Sequence, residues 1–428
     1  MIEFEQFVLE NGLKVIVHRD ETTPMVAMNI LYNVGSRDED PDQTGFAHLF
    51  EHLMFGGSIN IPKFDEPLER CGGENNAFTS SDITSYYLTL PAGNIETAFW
   101  LESDRMLMLA FSEQSLEVQR NVVIEEFKQR FLNYPYGDVW LLLRALAYKK
   151  HPYRWATIGL DISHIANAGM DDVKAFFAKF YHPANAILSV AGNIEPETVK
   201  QLATKWFSPI ESKPILSRNL QQEPVQPAKR TLTVERDVPY DAIYFAWHMC
   251  NRLHPDYHVF DLLTDYLSGG NSSRFYRKLV QERQMFSEIN AYITGESDAG
   301  LLIVSGKLAK GISMDDAEVA ILEEIALLKQ FTIQPDELQK LKNKAESTFL
   351  FAELNLINKA MVLAQMELLG DAGLINGELM KYQSVTAEDM LRVAQYTFLD
   401  SNSSILYYFA KGNILPVLQP SDRTSCHT

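Results

Sequence analysis

Cysteine is scarce in this 428-residue chain, and its spacing excludes two classes of cross-linked fold. The three cysteines, Cys71, Cys250 and Cys426, lie far apart, are odd in number and form no C-x-x-C pair. A disulfide framework or a zinc ribbon needs paired or closely spaced cysteines. We therefore expect reduced thiols and a fold that is held together by an apolar core.

Long apolar runs are also missing. No stretch approaches the roughly 18 apolar residues of a membrane-spanning helix. The N-terminal sequence MIEFEQFVLENGLKVIVHRD is acidic from Glu3 and alternates like a strand, unlike a signal peptide or an Arg-rich transit peptide. These features predict no membrane association and a cytoplasmic location, unless a targeting segment was removed before residue 1.

Positive charge is in deficit, because 38 Lys and Arg stand against 56 Asp and Glu and give a formal net charge of −18. Proteins that bind nucleic acid normally carry a basic patch or stripe, so we expect no nucleic-acid partner. The apolar share of 46% and the charged share of 22% are typical of a globular protein. The length predicts two or three domains.

The chain resembles itself at a distance of about 210 to 220 residues, which is a usual domain size. DDVKAFFAKFYHPANAILSVAGNI ends near Gly192, and EDMLRVAQYTFLDSNSSILYYFAKGNI ends near Gly412. The stretch before Gly56-Gly57 is echoed by HVFDLLTDYLSGG, which ends at Gly269-Gly270. Any α+β protein offers some such matches, but these keep their order and therefore favour a duplication.

The predicted fold class is α+β, with two duplicated domains that each have a mainly antiparallel sheet and helices packed on one face. A polar segment with four prolines, residues 208–230, marks the join. We predict a first, zinc-binding domain at 1–210, a linker at 211–230 and a homologous second domain without zinc ligands at 231–428.

The stretch TGFAHLFEHLMFGG contains His48, Glu51 and His52. On a helix, residues four apart lie on one face, so both imidazoles can reach one metal ion with a carboxylate beside them. Thr44 is a predicted N-cap, and Gly56-Gly57 are a predicted stop. The alternative is an apolar helix that carries polar residues without a metal.

Zinc usually takes a third protein ligand and keeps one position open for water. The best source is QRNVVIEEFKQR, where Glu125 and Glu126 follow apolar residues on a predicted helix. Gln119 lies seven residues before Glu126 and shares its helix face. A solvated face is the ordinary reading of a Glu-Glu pair, but the apolar surroundings favour one inward carboxylate.

HLFEH is the inverted zinc motif H-x-x-E-H. It is followed by GGENNAFTSSDITSYY, RNVVIEEF and HPYRWATIG, and later by LSGGNSSRFYRKLVQE. In that order, these stretches resemble the pitrilysin/insulinase family of zinc metallopeptidases, in particular its short, two-domain, processing-peptidase-like members. The resemblance is strong in the first half and weaker in the second.

The resemblance implies a Zn2+ cofactor that His48, His52 and Glu126 bind, with Glu51 as general base. Gln119 stands where the family usually has an acidic supporting residue, which implies reduced rather than abolished activity. The resemblance also implies an edge strand at Asn76, Ala77 and Phe78 that pairs with an extended peptide. For the side chains of these three residues, an ordinary edge-strand role is at least as good a reading.

In the second half, the family's oxyanion-stabilising Arg and Tyr are replaced by Val280 and Phe286, neither of which can donate a hydrogen bond there. The second-half echo of the metal helix carries Asp261, Thr264 and Asp265. The resemblance therefore implies a homologous partner subunit without zinc, in a heterodimer that closes around a chamber. A homodimer, a non-catalytic core or scaffold subunit, and a structural metal protein are the alternatives.

Overall fold

The computed structural model describes residues 1–215 and 217–412 and shows a mixed α/β architecture with two sheets, each with its own helices. The first-half strands are β1 (Glu5–Val8), β2 (Lys14–Arg19), β3 (Met25–Tyr32), β4 (Glu74–Thr79), β5 (Thr84–Pro91) and β6 (Ala186–Gly192). The first-half helices are α1 (Phe46–Leu53), α2 (Asp65–Arg70), α3 (Ile95–Leu107), α4 (Glu113–Phe127), α5 (Val139–Ala147), α6 (Ile162–Ala166), α7 (Met170–Phe180) and α8 (Pro196–Phe207).

The second half follows the same plan. Its strands are β7 (Arg230–Arg236), β8 (Ala242–His248), β9 (Phe286–Ile293), β10 (Leu301–Leu308) and β11 (Ser403–Ala410). Its helices are α9 (Tyr257–Ser268), α10 (Met314–Leu328), α11 (Pro335–Ala352), α12 (Leu356–Leu368), α13 (Ile375–Ser384) and α14 (Ala387–Thr397). Single π-helical segments follow α4 at Lys128–Leu132 and precede β9 at Tyr276–Glu282.

The two sheets have matching strand orders, which confirms the predicted fold class. The first sheet runs β1-β2-β6-β3-β5-β4 and the second runs β7-β11-β8-β10-β9. β2 pairs with β6 in parallel and β7 pairs with β11 in parallel, while the other neighbours are antiparallel. The second sheet thus repeats the first without its β1 edge. The domain boundaries at 210 and 231 stay predictions.

Each sheet buries both faces, and the halves exchange a helix to achieve this. β6 is buried along its whole length, and β3 is buried in all but its first residue. Helices of the first half cover one face, while α12 of the second half packs on the other through Leu363 and Ala364. In return, α5 packs through Val139 and Leu143 on the second sheet. Apolar residues on both faces of a strand need cover on both sides.

The predicted linker is fixed to both halves by hydrogen bonds. Arg218 pairs with Asp38, and the Glu223 carboxylate accepts the backbone N–H of Lys149 at 2.9 and 2.8 Å. Gln226 is 4% exposed and donates to the carbonyl of Ser403 at 2.7 Å. The proline-rich composition therefore indicates irregular backbone here rather than a free tether.

The structure also bears on the cysteines, the end of the internal repeat and the expected lack of membrane-spanning helices. Cys71 and Cys250 are free thiols. Cys426 and the Asn413-Ile414 end of the repeat lie outside the described residues. In the described part of the chain, none of the helices combines the length and the apolarity needed to cross a membrane.

Candidate metal centre

Helix α1 begins one residue later than the sequence suggests. Gly45 is its N-cap and has a φ of 89°, a left-handed conformation that glycine adopts readily. Thr44 does not cap the helix, because its hydroxyl instead accepts the backbone N–H of Leu160 at 2.8 Å and contacts His164. The prediction of Thr44 as N-cap is therefore wrong. The helix ends at Leu53 with Met54 as C-cap, a few residues before the predicted Gly56-Gly57 stop.

The missing cap is supplied by Glu39. Its carboxylate accepts the backbone N–H of Gly45 at 2.9 Å and that of Ala47 at 2.8 Å. Burial raises the pKa of Glu39 to about 8, although these hydrogen bonds oppose the shift. Two of the N–H groups that a helix start leaves unpaired are thereby satisfied in the protein interior. No pattern in the sequence indicates this role for Glu39.

The two histidines of α1 meet Glu126 of α4 at one point. The Nε2 atoms of His48 and His52 lie 3.7 and 3.4 Å from the Glu126 Oε2 atom. One ligand atom from each residue lies within 4.8 Å of the others. Tetrahedral zinc bonds of about 2.0 Å place neighbouring ligand atoms about 3.3 Å apart. The donor chemistry and the two His–Glu distances therefore fit a zinc ion.

The carboxylate at this point is the second of the Glu-Glu pair. Ser112 caps α4 by accepting the Ser115 N–H at 3.0 Å, and buried Val123 and Phe127 fix which face of the helix points inward. Glu125 lies on the solvent side, where it pairs with Lys128 at 2.7 Å.

Glu126 has a further partner that the sequence did not indicate. Arg130 Nη1 lies 2.7 Å from Glu126 Oε1, the oxygen that does not face the histidines. The hydrogen bond with His52 lowers the pKa of Glu126, with charge contributions from His48 and Arg130. Both effects keep the carboxylate ionised, which is the form that binds a cation.

Burial lowers the pKa of His48 to about 4, and this outweighs the opposing charge of Glu126. The imidazole is therefore neutral near pH 7, as a metal ligand must be. Its Nδ1 atom is buried without a hydrogen-bond partner among the described residues.

Glu51 lies beside this group but outside it. Thr79 Oγ1, at the end of β4, donates to Glu51 Oε2 at 2.5 Å. Burial raises the pKa of Glu51 above the ordinary value for glutamate, against the Thr79 hydrogen bond. A carboxylate with a raised pKa is suited to accept and return a proton near neutral pH. Thr79 is another contact that the sequence analysis did not name.

Strand β4 forms an open edge of the first sheet, next to α1. Among the described strands it pairs with β5 alone, and it contains Asn76, Ala77 and Phe78. The Ala77 N–H donates to the Asn76 side chain at 2.8 Å. Phe78 packs near Tyr87, with ring centroids 6.5 Å apart. The edge-strand geometry is present, and the roles of the three side chains stay predictions.

The supporting role of Gln119 also stays a prediction. Gln119 is half-buried on α4. The hydrogen bonds recorded among residues 1–215 and 217–412 include none from its side chain. An amide at this position therefore leaves the imidazoles without the carboxylate that the resemblance would place there.

The corresponding helix of the second half has other partners. On α9, Asp261 accepts a hydrogen bond from the Tyr382 hydroxyl at 2.6 Å, and Asp265 pairs with Lys344 at 2.7 Å. Phe286 is 2% exposed, and Val280 packs against the same apolar core. Within the described ranges, His48, His52 and Glu126 are the one group of three suitable side chains with metal-ligand spacing.

Family models match both halves of the chain. One that is described as insulinase (peptidase family M16) matches residues 14–159, and one that is described as the peptidase M16 inactive domain matches residues 167–345. The chain is 29% identical to the zinc protease PqqE of Helicobacter pylori over 94% of this chain and 92% of that protein. It is 23% identical to a probable beta subunit of the mitochondrial-processing peptidase of Arabidopsis thaliana over 80% of this chain and 66% of that protein.

A solved structure shows the same fold over almost the whole length. The crystal structure of a protease from Helicobacter pylori superimposes with a TM-score of 0.91 and 28% identity, over 95% of this chain and 100% of that one. Together with the two family models, this likeness establishes that the chain belongs to the pitrilysin/insulinase (M16) family of peptidases.

Proposed function

We propose that this chain is a zinc metalloendopeptidase that hydrolyses extended or unfolded peptides. The observation that carries the proposal is the convergence of His48, His52 and Glu126, with the Glu51 carboxylate beside them and not among them. Relatives that are named zinc proteases support the same assignment. His48, His52 and Glu126 would hold the Zn2+ ion.

Bound zinc supplies a water of lowered pKa and polarises the peptide carbonyl. Glu51 would accept a proton from the attacking water as the new C–O bond forms, and would pass it to the leaving nitrogen as the C–N bond breaks. Thr79 fixes the Glu51 carboxylate by its hydrogen bond. Because Thr79 belongs to β4, the proposed base is tied to the strand that would hold the peptide.

The open edge of β4 would bind the substrate by strand addition. An edge strand leaves half of its backbone N–H and C=O groups without a partner strand, and these can pair with a peptide backbone. Backbone pairing demands an extended chain and reads little of its sequence. This supports unfolded peptides rather than folded proteins as substrates.

A homologous partner without zinc would complete the chamber. Val280 and Phe286 are apolar, and Phe286 is buried, so neither can stabilise an oxyanion. A relative named as the beta subunit of a processing peptidase supports a heterodimer of this kind. A homodimer is the alternative, and the cytoplasmic location stays a prediction.

The main competing function is a non-catalytic core or scaffold subunit of the same fold. The description of the second-half family model as an inactive domain favours it for that half. A structural metal protein is a third candidate, in which Glu51 would be dispensable. The first half retains all four residues of the proposed chemistry, which supports the enzyme.

Replacing Glu51 with Gln separates these functions. We expect Glu51→Gln to keep bound zinc and to lose at least about 100-fold in peptide hydrolysis, because general-base catalysis contributes on that order. Metal content is measured by elemental analysis, and turnover is measured on an unfolded peptide with and without a homologous partner chain. Glu125→Gln is the matched control, since Glu125 is exposed on the same helix as Glu126. Equal turnover in the Glu51 and Glu125 variants would refute the assignment.

A further inference from the structure

A cavity with a basic lining lies apart from the candidate metal centre. Its volume is about 450 Å3, and its walls come from residues 37–41, 149–155, 179–185 and the linker residues 217–221. Neither the three proposed zinc ligands nor Glu51 line it. Cavities of this size commonly hold small molecules.

The walls are basic although the protein as a whole is acidic. Six Lys or Arg residues line the cavity against two carboxylates, in a chain with a net charge of −18. Asp38 neutralises one of the six, since it pairs with Arg218 in the same wall, and Glu39 caps α1. The wall keeps an excess of positive groups. A local reversal of sign inside a concave wall concentrates anions there.

Several cations of the wall have no acidic partner. Among the described residues, no ion pair is recorded for Lys150, Arg154 or Lys179. Arg154 stacks over Trp155 at 5.3 Å instead, which holds its guanidinium plane in place. Positive groups that are grouped without counter-ions repel one another, and an anion between them would relieve that repulsion.

Two guanidinium nitrogens of the wall are buried without hydrogen bonds. The Nε atoms of Arg154 and Arg37 make no hydrogen bond among the described residues, although Arg37 Nε lies 3.9 Å from a carboxylate oxygen of Asp38. Arg37 is only 8% exposed, and its Nη1 is already used by Asp82. Buried donors are normally satisfied, so these two nitrogens leave hydrogen-bonding capacity unused beside the cavity.

We propose that this cavity binds a small phosphate-bearing anion with more than one negative charge. A planar guanidinium group can donate two parallel hydrogen bonds to two phosphate oxygens, and the lysines of the wall add point charges. The ligand would lie between the 149–155 segment, the end of α7 and the linker. It would therefore bridge the first half to the linker, independently of any hydrolytic activity.

The test is a calorimetric titration of the full chain with inorganic pyrophosphate, ATP and citrate. Because phosphates also bind zinc, the titrations are run on both zinc-loaded and metal-free protein. We expect saturable 1:1 binding of pyrophosphate or ATP in both forms and at least tenfold weaker binding of citrate. Binding of pyrophosphate alone would indicate inorganic phosphate as the source, and tighter binding of ATP would indicate a nucleotide. Binding that requires zinc, or equal binding of citrate, would overturn the proposal.

Single substitutions locate the site. Arg154→Ala and Lys179→Ala should each weaken binding about tenfold, since each removes a charged hydrogen-bond donor. Arg154→Lys keeps the positive charge but loses the paired guanidinium donors. Its affinity should therefore lie between those of Arg154→Ala and the wild type. Lys174→Ala is the control, because Lys174 is exposed on the same helix as Lys179 and lies outside the cavity. Unchanged affinity in the Arg154 and Lys179 variants, with the melting temperature of the wild type, would also reject the site.

Discussion

Around the candidate metal centre, some side chains have a hydrogen-bond or ion-pair partner and one does not. Glu51 has Thr79, and Glu126 has Arg130, whereas the Nδ1 atom of His48 is buried without a partner in the described chain. Metal-bound histidines usually donate their second ring N–H to a carboxylate or carbonyl, which fixes the ring and raises its basicity. At the residue scale, the candidate centre therefore brings the proposed ligands together but leaves one of them without support.

Restoring an acidic residue at position 119 should strengthen the site. We expect Gln119→Glu to raise zinc affinity about tenfold, because a carboxylate there can accept the free N–H of a ligand imidazole. Affinity is measured by competition with a chromophoric chelator. Gln114→Glu adds the same charge at an exposed position of α4 and serves as control. Equal gains in both variants would show a general charge effect and contradict a specific support by residue 119.

Acid should destabilise the metal-free protein through His48. Its pKa in the folded protein is about 4, below the ordinary 6.5, because burial opposes the charge. Above pH 6.5 the imidazole is neutral in both the folded and the unfolded chain, and its full contribution to the free energy of unfolding is present. As the pH falls towards 4, the unfolded chain takes up a proton that the folded protein excludes, so this contribution is lost. We expect the free energy of unfolding in urea to fall more between pH 7.5 and pH 5 for the wild type than for His48→Asn. Parallel pH profiles would contradict this account.

At the scale of elements, helix α1 depends on its start. A Cβ at Gly45 would lie 2.7 Å from the carbonyl oxygen of Ile158, and the φ of 89° is strained for any other residue. Gly45→Ala should therefore lower the free energy of unfolding by about 1–3 kcal/mol and weaken zinc binding with it. Urea unfolding and chelator competition measure the two effects. Gly93→Ala, where a Cβ meets open space, should change neither. A neutral Gly45→Ala variant would show that the backbone start is adaptable.

The same helix shows how far sequence reasoning reached. The helical period predicts that His48, Glu51 and His52 lie close together. The apolar residues before Glu126 predict a second helix with one carboxylate that points inward. The capping role of Glu39 was missed, because a side chain that reaches backbone amides six and eight residues later leaves no periodic pattern. Thr44 was misassigned, since its hydroxyl is used by Leu160, and that contact depends on the tertiary structure.

At the scale of the whole molecule, the two halves are interlocked rather than joined only by the linker. α12 covers the first sheet, and α5 covers the second. Ion pairs of Lys14 with Glu367 at 2.6 Å and of Arg144 with Glu296 at 2.7 Å cross between the halves. The duplication could be recognised from repeated patterns, but the exchange of helices could not, because each helix has the same apolar face whichever sheet it covers.

This exchange predicts that a change in the second half loosens the first sheet. Leu363 is fully buried in α12 against that sheet. We expect Leu363→Ala to cost about 2–5 kcal/mol and to speed the hydrogen exchange of the β3 and β6 amides. Leu341→Ala, in the core between α11 and the second-half helices, is the matched control and should first affect β9 and α9. Hydrogen exchange read by mass spectrometry distinguishes the two patterns. If Leu363→Ala left β3 and β6 as protected as in the wild type, the packing of α12 would not couple the second half to the first sheet.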